Sequence, residues 1–111
     1  MSERSRATIR NTRLIALDVD GTIALSGSSI DHEILRSISQ MTESGVVVVI
    51  ATGRGWCDMR TVARQLPGSV YLVLNNGATT RRADGCLLEA RALPFATATA
   101  ACRVYLETNV L

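Results

Sequence analysis

The 111-residue chain predicts an α/β fold built on a mostly parallel sheet, and three observations carry that reading. Three short apolar runs alternate with two segments whose apolar residues recur at helical spacing. The resulting order, β-α-β-α-β, is that of parallel strands joined by crossover helices. Each run also stops at a cluster of polar or glycine residues, as expected where the strands of such a sheet reach a ligand-binding edge.

Leu14-Ile15-Ala16-Leu17 is the first strand, halted by Asp18-Val19-Asp20-Gly21-Thr22. Residues 22–30 are rich in Gly and Ser and read as a loop or small hairpin. Ile34, Leu35, Ile38 and Met41 then mark a helix, with Asp31 and Glu33 at its start, where they suit the helix dipole, and Gly45 as its stop. Val46–Ala51 is uninterrupted and β-branched, the pattern of a strand covered on both faces, and Thr52-Gly53-Arg54-Gly55 ends it. Met59, Val62, Ala63 and Leu66 form a second amphipathic helix, closed by Pro67-Gly68. Val70–Leu74 is the third strand and runs into Asn75-Asn76-Gly77. Two extended pieces, 78–82 and 86–90, joined by Ala83-Asp84-Gly85, predict a hairpin. From Phe95 onward an Ala/Thr-rich stretch places Phe95, Ala98, Cys102 and Tyr105 on one weak helical face.

Composition narrows the function. Hydrophobic residues make up 47% and charged residues 20%, which is globular rather than disordered. All twelve basic residues are arginines, and the absent lysine excludes both a Walker-type phosphate loop and Schiff-base chemistry. Four of the arginines, Arg4, Arg6, Arg10 and Arg13, lie in a basic tail over residues 1–13, against Glu3 alone. The remainder is close to neutral with few aromatics, which argues against a nucleic-acid groove. No apolar run reaches the ~18 residues of a membrane span. Cys57, Cys86 and Cys102 are odd in number, lack a C-x-x-C and have only His32 for company. They read as small buried thiols in a reducing, cytoplasmic protein, without a zinc site or disulfide framework.

The polar clusters converge. Asp18/Asp20, Thr52/Gly53/Arg54 and Asn76/Gly77 each follow a strand, so three separate loops meet at the carboxyl edge of one sheet. At a strand end, the spacing of Asp18 and Asp20 points both side chains the same way. Two such carboxylates repel, so either one is protonated or a cation sits between them. Oxygen donors alone favour a hard ion such as Mg²⁺. A magnesium-bound carboxylate facing a phosphoryl group serves as a nucleophile, and a second acid nearby can move the proton. Thr52 with the backbone N–H groups of Gly53 and Arg54 suits an anion cradle. Competing motifs fail in detail. A calcium loop needs Gly and Glu where Ile23 and Ser29 stand; a dinucleotide fingerprint begun at Gly53-x-Gly55 meets Asp58 at its last glycine; a cysteine phosphatase starting from Cys57 needs Arg at Ala63.

Asp18-Val19-Asp20-Gly21-Thr22, Ala51-Thr52-Gly53-Arg54 and Asn76-Gly77-Ala78, in this order and each after a strand, resemble the motifs of the haloacid dehalogenase-like (HAD) phosphatases, and most nearly their Cof-type branch. The resemblance covers about residues 13–94. It implies a Rossmann-like core over 14–94, incomplete, with the hairpin, and a large cap domain whose first helix begins at 95–111. It further implies Asp18 as nucleophile and magnesium ligand, and Asp20 as general acid/base holding the metal through its backbone carbonyl. Thr52 would bind the transferred phosphoryl beside Gly53, and Asn76 and Gly77 would line the substrate entrance. Arg54 would either contact the substrate phosphate or brace the second helix. The family's substrates are phosphate monoesters such as sugar phosphates, so the implied partner is a small phosphorylated molecule and the implied cofactor is Mg²⁺.

Two family features are absent from the 111 residues: the downstream basic residue, usually Lys, that steadies the phosphate, and the Gly-Asp-containing acidic motif that completes the metal site. The chain therefore reads as the N-terminal part of such a hydrolase. The alternative is a non-catalytic α/β module that at most binds metal or phosphate. The sequence assigns no oligomeric state.

Overall fold

The computed structural model describes residues 11–108. Most of the predicted basic tail, residues 1–10, and the last three residues of the predicted cap helix lie outside that range. Five strands form one sheet in sequence order: β1 (Leu14–Leu17), β2 (Val47–Ala51), β3 (Tyr71–Leu74), β4 (Thr79–Arg82) and β5 (Leu87–Ala90). The first three pair in parallel, with Ile15 opposite Val48 and Ile50 opposite Leu72. The predicted hairpin adds β4 and β5 antiparallel to β3, with a register shift between Thr80 and Arg81.

Helix α1 (His32–Glu43) starts where the Asp31 carboxylate accepts the Glu33 N–H at 2.8 Å, the arrangement that satisfies one of the free donors of a first turn. It ends at Gly45, whose φ of +84° is open to glycine at little cost. There the Val46 N–H donates to Met41 O and the Gly45 N–H to Thr42 O, the paired bonds of a Schellman cap. Helix α2 (Trp56–Ala63) is shorter than its apolar spacing suggests. The Gln65 and Leu66 N–H groups bond back three residues, to Val62 O and Ala63 O, so the chain tightens before Pro67 is reached.

Both helices pack on one face of the sheet. The core joins Val48, Ile50, Leu72 and Leu74 to Ile38 of α1, to Met59 and Val62 of α2, and to Val19, Ile23 and Ile30 of the intervening turn and loop. The other face is open: Leu14 is 56% exposed, Val47 39% and Tyr71 38%. The expectation that Val46–Ala51 is covered on both faces is thus corrected. Strand order runs 1-2-3 without reversing, and right-handed crossovers taken in one direction put every helix on the same side.

Helix α3 (Phe95–Thr108) stands off the core with no buried residue, and Phe95 is 87% exposed. The three cysteines, expected to be buried, are all exposed free thiols. Cys57 lies on the outer side of α2, Cys86 beside the hairpin turn and Cys102 on α3, and none meets the core. No helix among the described residues is long and apolar enough to cross a membrane.

Candidate active site

The turn after β1 is built on Val19. Its side chain is fully buried, and its carbonyl accepts the N–H groups of Thr22, Ile23 and Ala24 at 3.0–3.1 Å. Gly21 makes the reversal at φ +78°, a left-handed conformation that favours glycine. With Val19 pinned inward, Asp18 and Asp20 are both left exposed, as their spacing predicts.

The second loop is held to the third. The Thr52 N–H donates to Val73 O, the Asn76 N–H to Thr52 O and the Asn75 N–H to Arg54 O. Asn75 and Asn76 both adopt positive φ, +52° and +55°, ahead of Gly77 at +100°, a strained run that Asn tolerates better than most residues. A Cβ on Gly53 would meet Asn76 Oδ1 at 3.0 Å, and one on Gly55 would meet Asn75 Oδ1 at the same distance. Gly55, the second glycine of the failed dinucleotide match, here makes room for Asn75.

These contacts place Asp18, Ala51, Thr52, Gly53, Val73, Asn76 and Gly77 around one open cleft of about 470 Å³ at the carboxyl edge of the sheet. The Asp18 carboxylate lines it without an ion pair or hydrogen bond among the described residues. Thr52 is the one buried polar residue among those described. Its Oγ1 accepts the Arg54 N–H at 3.1 Å, which leaves the hydroxyl hydrogen free to donate. The cradle read from sequence is therefore narrower than expected: the Arg54 N–H is spent on Thr52, and the Gly53 N–H alone makes no bond among the described residues.

Asp20 and Arg54 stand outside the cleft lining and face each other. Arg54 Nη2 donates to Asp20 Oδ1 at 2.5 Å and Nε to Oδ2 at 3.2 Å, a two-point pair. The Arg54 hydrogen bond holds the Asp20 carboxyl below its ordinary range. The repulsion expected between the two aspartates is thus relieved by an arginine on Asp20. Arg54 further donates to Ser28 Oγ at 3.0 Å and to Gly27 O at 2.9 Å, and Gln65 grips the same loop from the far end of α2. Ser28 and Gln65 carried no local signal in the sequence, since their pairing spans 37 residues.

For a divalent cation, the donors fit in kind. Asp18 supplies a carboxylate and Asp20 a backbone carbonyl, with no His or Cys at the edge, as a hard ion requires. No group of three His, Cys, Asp or Glu side chains assembles among the described residues, so water or other oxygens would fill the remaining positions.

A family model described as haloacid dehalogenase-like hydrolase matches residues 15–110. An HMP-PP phosphatase of Yersinia enterocolitica is 30% identical over 97 residues, covering 87% of this chain and 36% of that protein. One from Yersinia pestis is 31% identical over the same length and shares. A haloacid dehalogenase-like hydrolase of B. subtilis superposes with a TM-score of 0.78 at 26% identity, over 88% of this chain and 34% of that one. BT1666 of Bacteroides thetaiotaomicron, at 24% identity and a TM-score of 0.72, shares the fold over 88% of this chain and 36% of that one. The chain thus spans about a third of the length of the proteins it matches.

Proposed function

The chain belongs to the haloacid dehalogenase-like hydrolases, and from that premise we propose that its open edge serves a magnesium-dependent phosphomonoester hydrolase working through an aspartyl-phosphate. The observation that carries this reading is the Asp18 carboxylate, unpaired among the described residues, sharing one cleft with Thr52, Gly53, Asn76 and Gly77.

An Asp18 carboxylate oxygen attacks phosphorus, and the bond from phosphorus to the leaving alkoxide breaks while protonated Asp20 gives that alkoxide its proton. Water then attacks the phosphorus of the aspartyl-phosphate and passes a proton to Asp20. The bond to Asp18 breaks, releasing inorganic phosphate and restoring both carboxyls. Thr52 donates its hydroxyl hydrogen to a phosphoryl oxygen, beside the Gly53 N–H, and Asn76 and Gly77 border the entrance. Arg54 favours ionised Asp20, the form that accepts the water's proton. Mg²⁺, held by Asp18 and the Asp20 carbonyl, would neutralise charge between nucleophile and phosphate.

The substrate is a small phosphorylated molecule. Because the Yersinia relatives are named HMP-PP phosphatases, HMP-PP is the first compound to try, followed by sugar phosphates. The test is turnover by the gene's full product with Mg²⁺ across a panel of phosphate esters, against Asp18→Asn. That substitution should remove essentially all activity, since Asp18 is the only carboxylate among the described residues lining the cleft; equal rates for the two proteins would end the proposal. A non-catalytic binding module is the second reading, favoured by the absence of a three-group metal cluster among the described residues. Multiple-turnover hydrolysis by the 111-residue chain itself would exclude it.

A further inference from the structure

We propose that Gln65, remote from the cleft and just past the C-terminal end of α2, is a positioning residue for Asp20. The inference rests on the reading above, in which Asp20 transfers the proton. Asp20 is exposed, and the only side chain holding its carboxylate among the described residues is Arg54. A long arginine holds a direction only if its other donors are anchored, and the other two anchors of Arg54 are Ser28 Oγ and Gly27 O. Both belong to a segment, Ser26-Gly27-Ser28-Ser29, with little packing of its own: Gly27 sits at φ +67°, and the neighbouring Leu25 is 83% exposed.

Gln65 fixes that segment. Its Nε2 donates to Ser28 O at 2.6 Å and its Oε1 accepts the Ile30 N–H at 3.0 Å. A second donation from Nε2, to Thr61 O at 2.9 Å, ties the amide to its own helix. Both amide hydrogens and the oxygen are used, so the group has one orientation. The two ends of α2 therefore close on the loop like a clasp, with Ser28 held through its carbonyl by Gln65 and through its hydroxyl by Arg54. Removing Gln65 frees Ser28, loosens two of the four Arg54 contacts and lets the Asp20 carboxylate swing. No contact in the cleft is touched, because Gln65 does not line it.

The test compares Gln65→Ala and Gln65→Glu with wild type in the gene's full product, using an alkyl phosphate and 4-nitrophenyl phosphate. Gln65→Ala should lower kcat roughly tenfold on the alkyl ester with KM within about twofold, the size expected from losing one or two neutral hydrogen bonds. The loss should be similar on 4-nitrophenyl phosphate, with aspartyl-phosphate accumulating on both esters in an acid quench, because a carboxylate that accepts from Arg54 at both oxygens is the ionised form that serves the common second step. Gln65→Glu keeps the acceptor for the Ile30 N–H and loses the donor to Ser28 O. Hydrogen exchange at Ile30 should thus stay slow in Gln65→Glu and quicken in Gln65→Ala, while both variants accumulate aspartyl-phosphate. No loss, or a loss without accumulation of aspartyl-phosphate, overturns the positioning role and leaves the phosphatase reading standing. A wild type that hydrolyses neither these esters nor any member of the wider panel overturns the reading, and with it any catalytic part for Gln65.

Discussion

The two faces of the sheet are built from the same residue types and meet different surroundings. Ile15, Leu17, Val48, Ile50, Leu72 and Leu74 turn towards α1 and α2, and Val48, Ile50, Leu72 and Leu74 are almost wholly buried. Their alternating neighbours Leu14, Val47 and Tyr71 are open to solvent, although Val47 and Val48 differ in nothing but parity along β2. Hydrophobicity fills a strand, whereas the direction in which successive crossovers travel decides which of its faces is covered. The same comparison separates the two aspartates. Asp18 lines the cleft without a partner among the described residues, and Asp20, two residues on, is bound up with Arg54.

Substitutions on the two faces should differ in size, and urea denaturation of the described chain measures them on one scale. Leu72→Ala removes a fully buried side chain of β3 from the face the helices cover. It should cost about 2–5 kcal/mol, and a loss below about 1 kcal/mol would mean that the helix-covered face is less tightly packed than its burial indicates. Asp31→Ala removes the N-cap of the helix covering that face and should cost about 1 kcal/mol. On the open face, Val47→Thr should stay within about 0.5 kcal/mol of wild type. A cost like that of Leu72→Ala would show that something covers Val47 in solution. The smallest change in stability should come with the clearest change in surface behaviour: Val47→Thr combined with Leu14→Thr should reduce dye binding and concentration-dependent association, because together they interrupt an exposed apolar face.

Much of this was legible beforehand. The strands end within a residue or two of where the apolar runs stop, since Asp-x-Asp-Gly, Thr-Gly-Arg and Asn-Asn-Gly each break the extended pattern chemically. Three site loops at one edge follow from that order alone. The cysteines were misread because free thiols are often buried on average, while Cys57, Cys86 and Cys102 fall on the outward side of a helix, a hairpin turn and a helix with nothing against it. The spatial role of Gly55 was not legible because a glycine in sequence does not say which neighbour needs the space; Asn75, twenty residues away, does.

By itself the sequence determined the alternation of strands and helices, the residues that end each strand, the oxygen-rich character of the edge and the resemblance to a family that the comparisons bear out. Those properties are local, set by side-chain period, β-branching and the backbone freedom of a few glycines. Only the tertiary structure decided that Arg54 closes on Asp20, that its own N–H is spent on Thr52, that Gln65 holds the loop beneath them and that one face of the sheet lies bare. Each of these joins residues distant along the chain or depends on the direction of a crossover, and no local pattern encodes which far partner a donor will meet.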